Sequence, residues 1–134
     1  MCLRVFMVPA VPDRISPERL SQASGLCVEK RRYPHPGSLH LSVGGGCSCS
    51  LMSADSDADA DTWNLDPCVL EGLGRALRLL NQEAGGFTFQ ASWIGDKPQT
   101  QTRTPLRELL SDVADNQIRN KHVYIVGKGQ IDDR

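Results

Sequence analysis

The stretch with the most chemistry to offer is Gly44-Gly45-Gly46-Cys47-Ser48-Cys49-Ser50. Two thiols with one residue between them supply soft ligands for zinc or copper(I), or a pair that cycles through a disulfide. His35 and His40 precede them closely, and Cys47, Cys49 and His35 form the candidate metal-ligand set. Strand geometry opposes such a site. Residues i and i+2 of an extended strand lie about 6.8 Å apart along its axis, and a disulfide wants converging side chains at no more than that separation. His40, on the other strand of the hairpin, would point to the face opposite Cys47 and Cys49. The site therefore requires the glycines to bend the chain out of regular strand. Otherwise Cys47 and Cys49 are small buried hydrophobes, as free cysteine commonly is. Cys2, Cys27 and Cys68 have no comparable neighbours in sequence and are expected to be packing residues.

Other residue patterns carry less. Asp55, Asp57, Asp59 and Asp61, with Asp66 at position twelve, resemble a calcium loop only in part. Ala60 stands where the sharp turn demands glycine, and Asp66 is a methylene shorter than the bidentate glutamate. A solvated acidic loop is the simpler reading. The triple glycine lacks the Lys-Ser/Thr ending of a phosphate loop, and no Gly-x-Ser-x-Gly elbow marks a nucleophile. Lys30-Arg31-Arg32 reads as a charged strand edge that discourages aggregation. Asp96 beside Trp93, at the end of a strand, marks a place where a small molecule could be held. No catalytic constellation is visible, so nothing assigns an enzyme activity.

The elements that position these residues are clearer. Val69, Leu70, Leu73, Ala76, Leu77, Leu80 and Ala84 recur at helical spacing on one face of a long helix. Asp66 caps it, Pro67 occupies its first turn, and Gly85-Gly86 end it. The period then changes from 3.6 to 2. Phe87, Phe89, Ala91 and Trp93 point to one side of a strand and Thr88, Gln90 and Ser92 to the other. Cys2 to Val8 reads as a buried strand closed by Pro9 and Pro12. A short helix follows, with Ser16 as cap, Pro17 first, Gly25 as stop, and Ile15 and Leu20 as a hydrophobic staple.

Leu26–Tyr33 reads as a short strand, and alternation on both sides of the glycines predicts a hairpin from about Ser38 to Met52. Gly95–Arg103 reads as a polar loop. Thr104-Pro105 opens a third helix with Leu106, Leu109, Leu110, Val113 and Ala114 inward, and His122–Val126 forms the last strand.

The order predicts an α+β domain over residues 1–127 with a polar tail at 128–134. Its core is a ferredoxin-like split β-α-β unit: strand, helix, hairpin, helix, strand. A C-terminal helix and strand extend it, the last strand parallel to 86–94 through a crossover, with helices mainly on one face. At 134 residues the chain is long enough to fold without staples. A net charge of −1 lacks the basic balance that phosphate contacts need, so no nucleic acid is expected. No apolar run nears the ~20 residues that span a bilayer, so no membrane partner is expected. Five cysteines at irregular spacing argue for reduced thiols and a cytoplasmic setting. Two functions compete. One is a binding module that uses the Thr88, Gln90, Ser92 face for a protein partner or a second copy of itself, with no cofactor. The other is a thiol protein binding Zn or Cu, or acting in redox, at Cys47-Ser48-Cys49.

Overall fold

The computed structural model describes residues 2–11, 13–53 and 60–129. In chain order they form β1 (Leu3–Pro9), α1 (Pro17–Ser24), β2 (Cys27–Arg31), β3 (Ser38–Ser42), a 3-10 turn (Ser48–Leu51) and β4 (Thr62–Trp63). There follow α2 (Pro67–Ala84), β5 (Gly86–Trp93), β6 (Thr100–Arg103), α3 (Leu106–Ala114), β7 (Ile118–Arg119) and β8 (His122–Gly127). The fold is α+β, with a mixed six-stranded sheet ordered β2-β3-β1-β5-β8-β6 and a separate β4-β7 pair. Strand β1 runs antiparallel to β3 and to β5, β2 antiparallel to β3, and β5 antiparallel to β8. Among the described residues only β6 and β8 pair in parallel.

Helices α1 and α2 begin as their sequences require. The Ser16 hydroxyl accepts from the Arg19 N–H at 3.2 Å and the Asp66 carboxylate from the Cys68 N–H at 3.0 Å, each just before a proline. Gly25 and Gly85 end them in the left-handed region. The third helix differs. Pro105 itself stands at the cap position of α3 without a side-chain bond, and the Thr104 hydroxyl donates instead to the Thr102 carbonyl. Among the glycines, Gly72 matters most: a Cβ there would strike the Ser24 carbonyl, so its absence lets α1 and α2 close on each other. Leu20, Leu73, Leu77, Leu80, Leu109 and Val113 from the helices share one core with Leu3, Val5, Met7, Phe87, Phe89 and Ala91. Alternation along β1 and β5 therefore puts all three helices on one side of the sheet.

Three expectations are corrected. The hairpin from Ser38 to Met52 does not form. Gly45 and Gly46 turn the chain at positive φ, and 48–51 closes as a 3-10 turn. That turn fills the gap where β1 and β3 part company, since these strands pair only at Phe6–His40 and Met7–Leu39. There the Ser48 hydroxyl accepts from the Val5 N–H at 2.9 Å and donates to the Leu41 carbonyl. A serine side chain takes over bonds that a strand would have made. The hairpin in this region is β2–β3, joined through 32–37.

The last strand is antiparallel, not parallel, to β5. The segment read as a polar loop holds β6, which is the strand that reaches β8 in parallel through α3. All four β6 residues are exposed, as an outermost strand permits, so no apolar alternation betrays it. Lys128 N–H bonds the Gly85 carbonyl and Gly129 N–H the Val126 carbonyl, which holds both residues against the start of β5. The remainder of the tail and Asp55, Asp57 and Asp59 of the acidic loop lie outside the described residues. Among the described residues no helix is long and apolar enough to cross a membrane.

Candidate functional site

Two groupings on the sheet could take a ligand, and β1 serves both. The first is a trough of about 1080 Å³ on the side without helices. Its floor is three directly opposed pairs between β1 and β5: Arg4 with Ser92, Phe6 with Gln90, and Val8 with Thr88. The turn Pro34-His35-Pro36 lines one side, and Trp93 with 95–100 lines another. The face is more enclosed than an open sheet would be: Gln90 is 8% exposed and Ser92 3%. Gln90 Nε2 donates to Ser92 Oγ at 3.1 Å, so both polar groups are partnered where they are buried. The Arg4 guanidinium lines the same floor and has no hydrogen bond or ion pair among the described residues.

His40 braces the turn that lines the trough. Its ring stacks on Phe6 at 5.3 Å, and its Nε2 lies 2.9 Å from the Tyr33 carbonyl and 3.0 Å from Ser38 Oγ. A carbonyl only accepts, so Nε2 carries the proton of the neutral ring. Burial lowers the His40 pKa to about 4; the Tyr33 bond opposes that shift, and Arg31 and Arg4 add to it. His35, the histidine expected beside the thiols, lies instead against Phe6 at 6.5 Å between ring centres, on the trough.

The second grouping is the set of Cys2, Cys47 and Cys49, whose sulfurs all lie within 4.8 Å of one another. The 3-10 turn presents Cys47 and Cys49, and Cys2 comes from the residue before β1. Cys49 Sγ accepts from the Leu3 N–H at 3.1 Å, two residues along β1 from the N–H of Val5 that bonds Ser48. Hydrogen bonds from the Cys49 N–H and the Cys49 thiol, then from the Cys2 thiol, lower the pKa of Cys47. Burial raises that of Cys49. Cys2 is exposed and the other two are half-buried, so the cluster is reachable from solvent, while Cys49 also packs against the core. The glycine bend that sequence required is present. The missed member is Cys2, expected to be packing; no local signal joins it to a pair 45 residues on, and only the course of β1 does.

A third feature, under α3, is structural. Tyr124 donates to Asp112 Oδ2 at 2.9 Å and accepts from the Arg119 N–H at 3.0 Å, beside a cavity of about 280 Å³. Burial pushes the Tyr124 phenol up to about 12, with Asp112 adding to the shift. His122 bonds Thr100 through Nδ1 at 2.6 Å, and burial, then Arg119, lowers its pKa. These bonds tie α3, β7 and β6 to β8.

Asp96 and Trp93 do border the trough, with Asp96 3.8 Å from Lys121. They stand at the end of a strand antiparallel to both neighbours, so the place is not the mouth of a parallel sheet. Asp66, at the twelfth position of the calcium pattern, caps α2 through Oδ1. Comparison with protein families, with curated proteins and with solved structures finds no match for this chain.

Proposed function

We propose that the protein is a small interaction module whose trough receives an extended segment of a partner protein carrying an aspartate or glutamate. The observation that carries this reading is Arg4, whose guanidinium is unpaired among the described residues and lies beside the buried amide and hydroxyl of Gln90 and Ser92. A guanidinium presents a fork of donors that matches a carboxylate, and its field is stronger where the walls exclude water. Thr88, Gln90 and Ser92 offer hydrogen bonds to a backbone lying across the floor, and Phe6, Trp93 and the prolines offer apolar contact. The trough slightly exceeds the ~300–1,000 Å³ typical of small-molecule sites, which favours a peptide segment.

Other features fit this reading. The order β2-β3-β1-β5, with β1 and β2 parallel on either side of β3, supports a ferredoxin-like split β-α-β core to which α3, β6 and β8 are added. Five free cysteines support a reducing, cytoplasmic setting.

The test is selection from a random hexapeptide display library, followed by fluorescence polarisation with the winners. The expected outcome is an enriched acidic position and at least tenfold weaker binding to Arg4→Gln. Failure to select any peptide, or binding indifferent to Arg4→Gln, overturns the reading. Sedimentation across concentrations tests whether the segment comes from a second copy of the chain.

A further inference from the structure

We propose that Cys2, Cys47 and Cys49 form a three-thiolate site for a soft monovalent cation, copper(I). The three sulfurs already lie within 4.8 Å of one another without a metal. With metal–sulfur bonds of about 2.3 Å, a planar three-sulfur centre needs sulfurs ~4.0 Å apart, and a tetrahedral one ~3.8 Å. Side-chain rotation covers that difference, because Cys2 is exposed and Cys47 sits on a turn and not in the sheet.

The ligand count selects the ion. Among the described residues no fourth histidine, cysteine or carboxylate joins the three thiols. Structural zinc sites are almost always four-coordinate, whereas thiolate softness favours copper(I), which is content with three. The surroundings prepare the site for negative sulfur. The Leu3 N–H already points at Cys49 Sγ, and N–H bonds to a coordinated thiolate hold it in place. Binding involves no change of oxidation state: copper enters as copper(I), copper–sulfur bonds form, and the thiol protons leave to solvent. None of the three cysteines lines the trough, so the site stands apart from the interaction proposed above.

The test titrates copper(I), under argon and against the competing chelator bicinchoninate, into reduced, metal-free full-length protein. X-ray absorption then counts the sulfur neighbours. One copper(I) per chain with three sulfurs is expected, as is binding at least 30-fold weaker in each of Cys2→Ser, Cys47→Ser and Cys49→Ser. Cys27→Ser and Cys68→Ser serve as controls and retain full binding. Serine at 49 can still accept from Leu3; if that variant nevertheless fails to fold, Cys2→Ser and Cys47→Ser, at more open positions, carry the test. No copper held against the chelator, two-sulfur coordination that survives Cys2→Ser, or preferential four-coordinate zinc binding in a mixed titration would each overturn the proposal.

Discussion

The two sides of the six-stranded sheet bury residues by different means, and β5 shows both in alternate positions. Phe87, Phe89 and Ala91 are sealed under α2 and its neighbours in the common core. Gln90 and Ser92, one residue away, are almost as inaccessible, yet what surrounds them is a trough bordered by turns. Helices cover a sheet with a continuous apolar layer that has no hydrogen bonds to give, so the residues beneath must need none. Turns leave gaps and polar groups, so amides and hydroxyls survive burial by bonding each other. Low exposure alone therefore does not identify a core. Whether a buried side chain holds the fold together or awaits a ligand depends on what covers it.

Adjacent truncations on β5 should break the symmetry of burial most sharply. Phe89→Ala opens a cavity in the helix-covered layer and is expected to cost about 3–5 kcal/mol. Gln90→Ala removes one neutral hydrogen bond and should cost only about 1 kcal/mol. Urea denaturation of the two variants measures both. Equal losses would mean that the trough side is core after all.

The next largest effect is a response to acid, and it arises on the trough side. His40 is neutral when folded, with its pKa lowered from 6.5 to about 4 by burial. The unfolded chain therefore binds more protons between those values, and stability falls as pH drops from 6.5 towards 4. The full shift corresponds to at most ~3 kcal/mol. Part of it comes from Arg31 and Arg4, whose fields are screened near solvent, so about 1–2 kcal/mol is expected. Denaturation midpoints between pH 7 and pH 4 measure the slope. His40→Gln, whose amide nitrogen can reach the place of Nε2 and so keeps a donor for the Tyr33 carbonyl, should flatten it. A His40→Gln slope equal to that of the native chain would assign the acid sensitivity elsewhere.

The contrast between the two sides also explains what could be read from sequence. Helix α2 and strand β5 were legible to within a residue or two because their apolar periods report a helix-covered layer directly. Strand β6 was not, because Thr100-Gln101-Thr102-Arg103 is polar throughout and is a strand only by pairing with β8. The turn at 48–51 was misread for the opposite reason. Its alternation is real, but Ser48 and Cys49 use side chains where a strand would use backbone. Long-range placement was invisible in both candidate sites. Nothing near Cys47 in sequence announces Cys2, and nothing near His35 places it over Phe6 and away from the thiols. Thr62-Trp63 was missed likewise, since its strand is short and its anchor, Trp63 Nε1 bonded to the Ala91 carbonyl at 2.9 Å, lies 28 residues away.

A smaller effect belongs to the start of the helix that makes one side different from the other. Asp66→Ala removes the bond to the Cys68 N–H and should destabilise the fold by about 1 kcal/mol. Asp66→Asn, which keeps the acceptor, should recover most of it. Thermal unfolding separates the two, and equal losses would mean that Asp66 acts by charge and not by capping.

The smallest effect probes the trough floor itself. Thr88 is half-buried there opposite Val8, and its hydroxyl has no hydrogen bond among the described residues. Thr88→Val keeps the branched shape that strands favour and removes only that hydroxyl. If the floor is shaped for a ligand, folding should not notice: the change is expected to stay within about 0.5 kcal/mol by urea denaturation. Binding of a selected acidic peptide should weaken in the same variant, because the hydroxyl is then missed only when a ligand backbone lies over it. A gain in stability well beyond that range, with peptide binding unchanged, would show that the floor behaves as apolar packing and would remove the distinction between the two sides of the sheet.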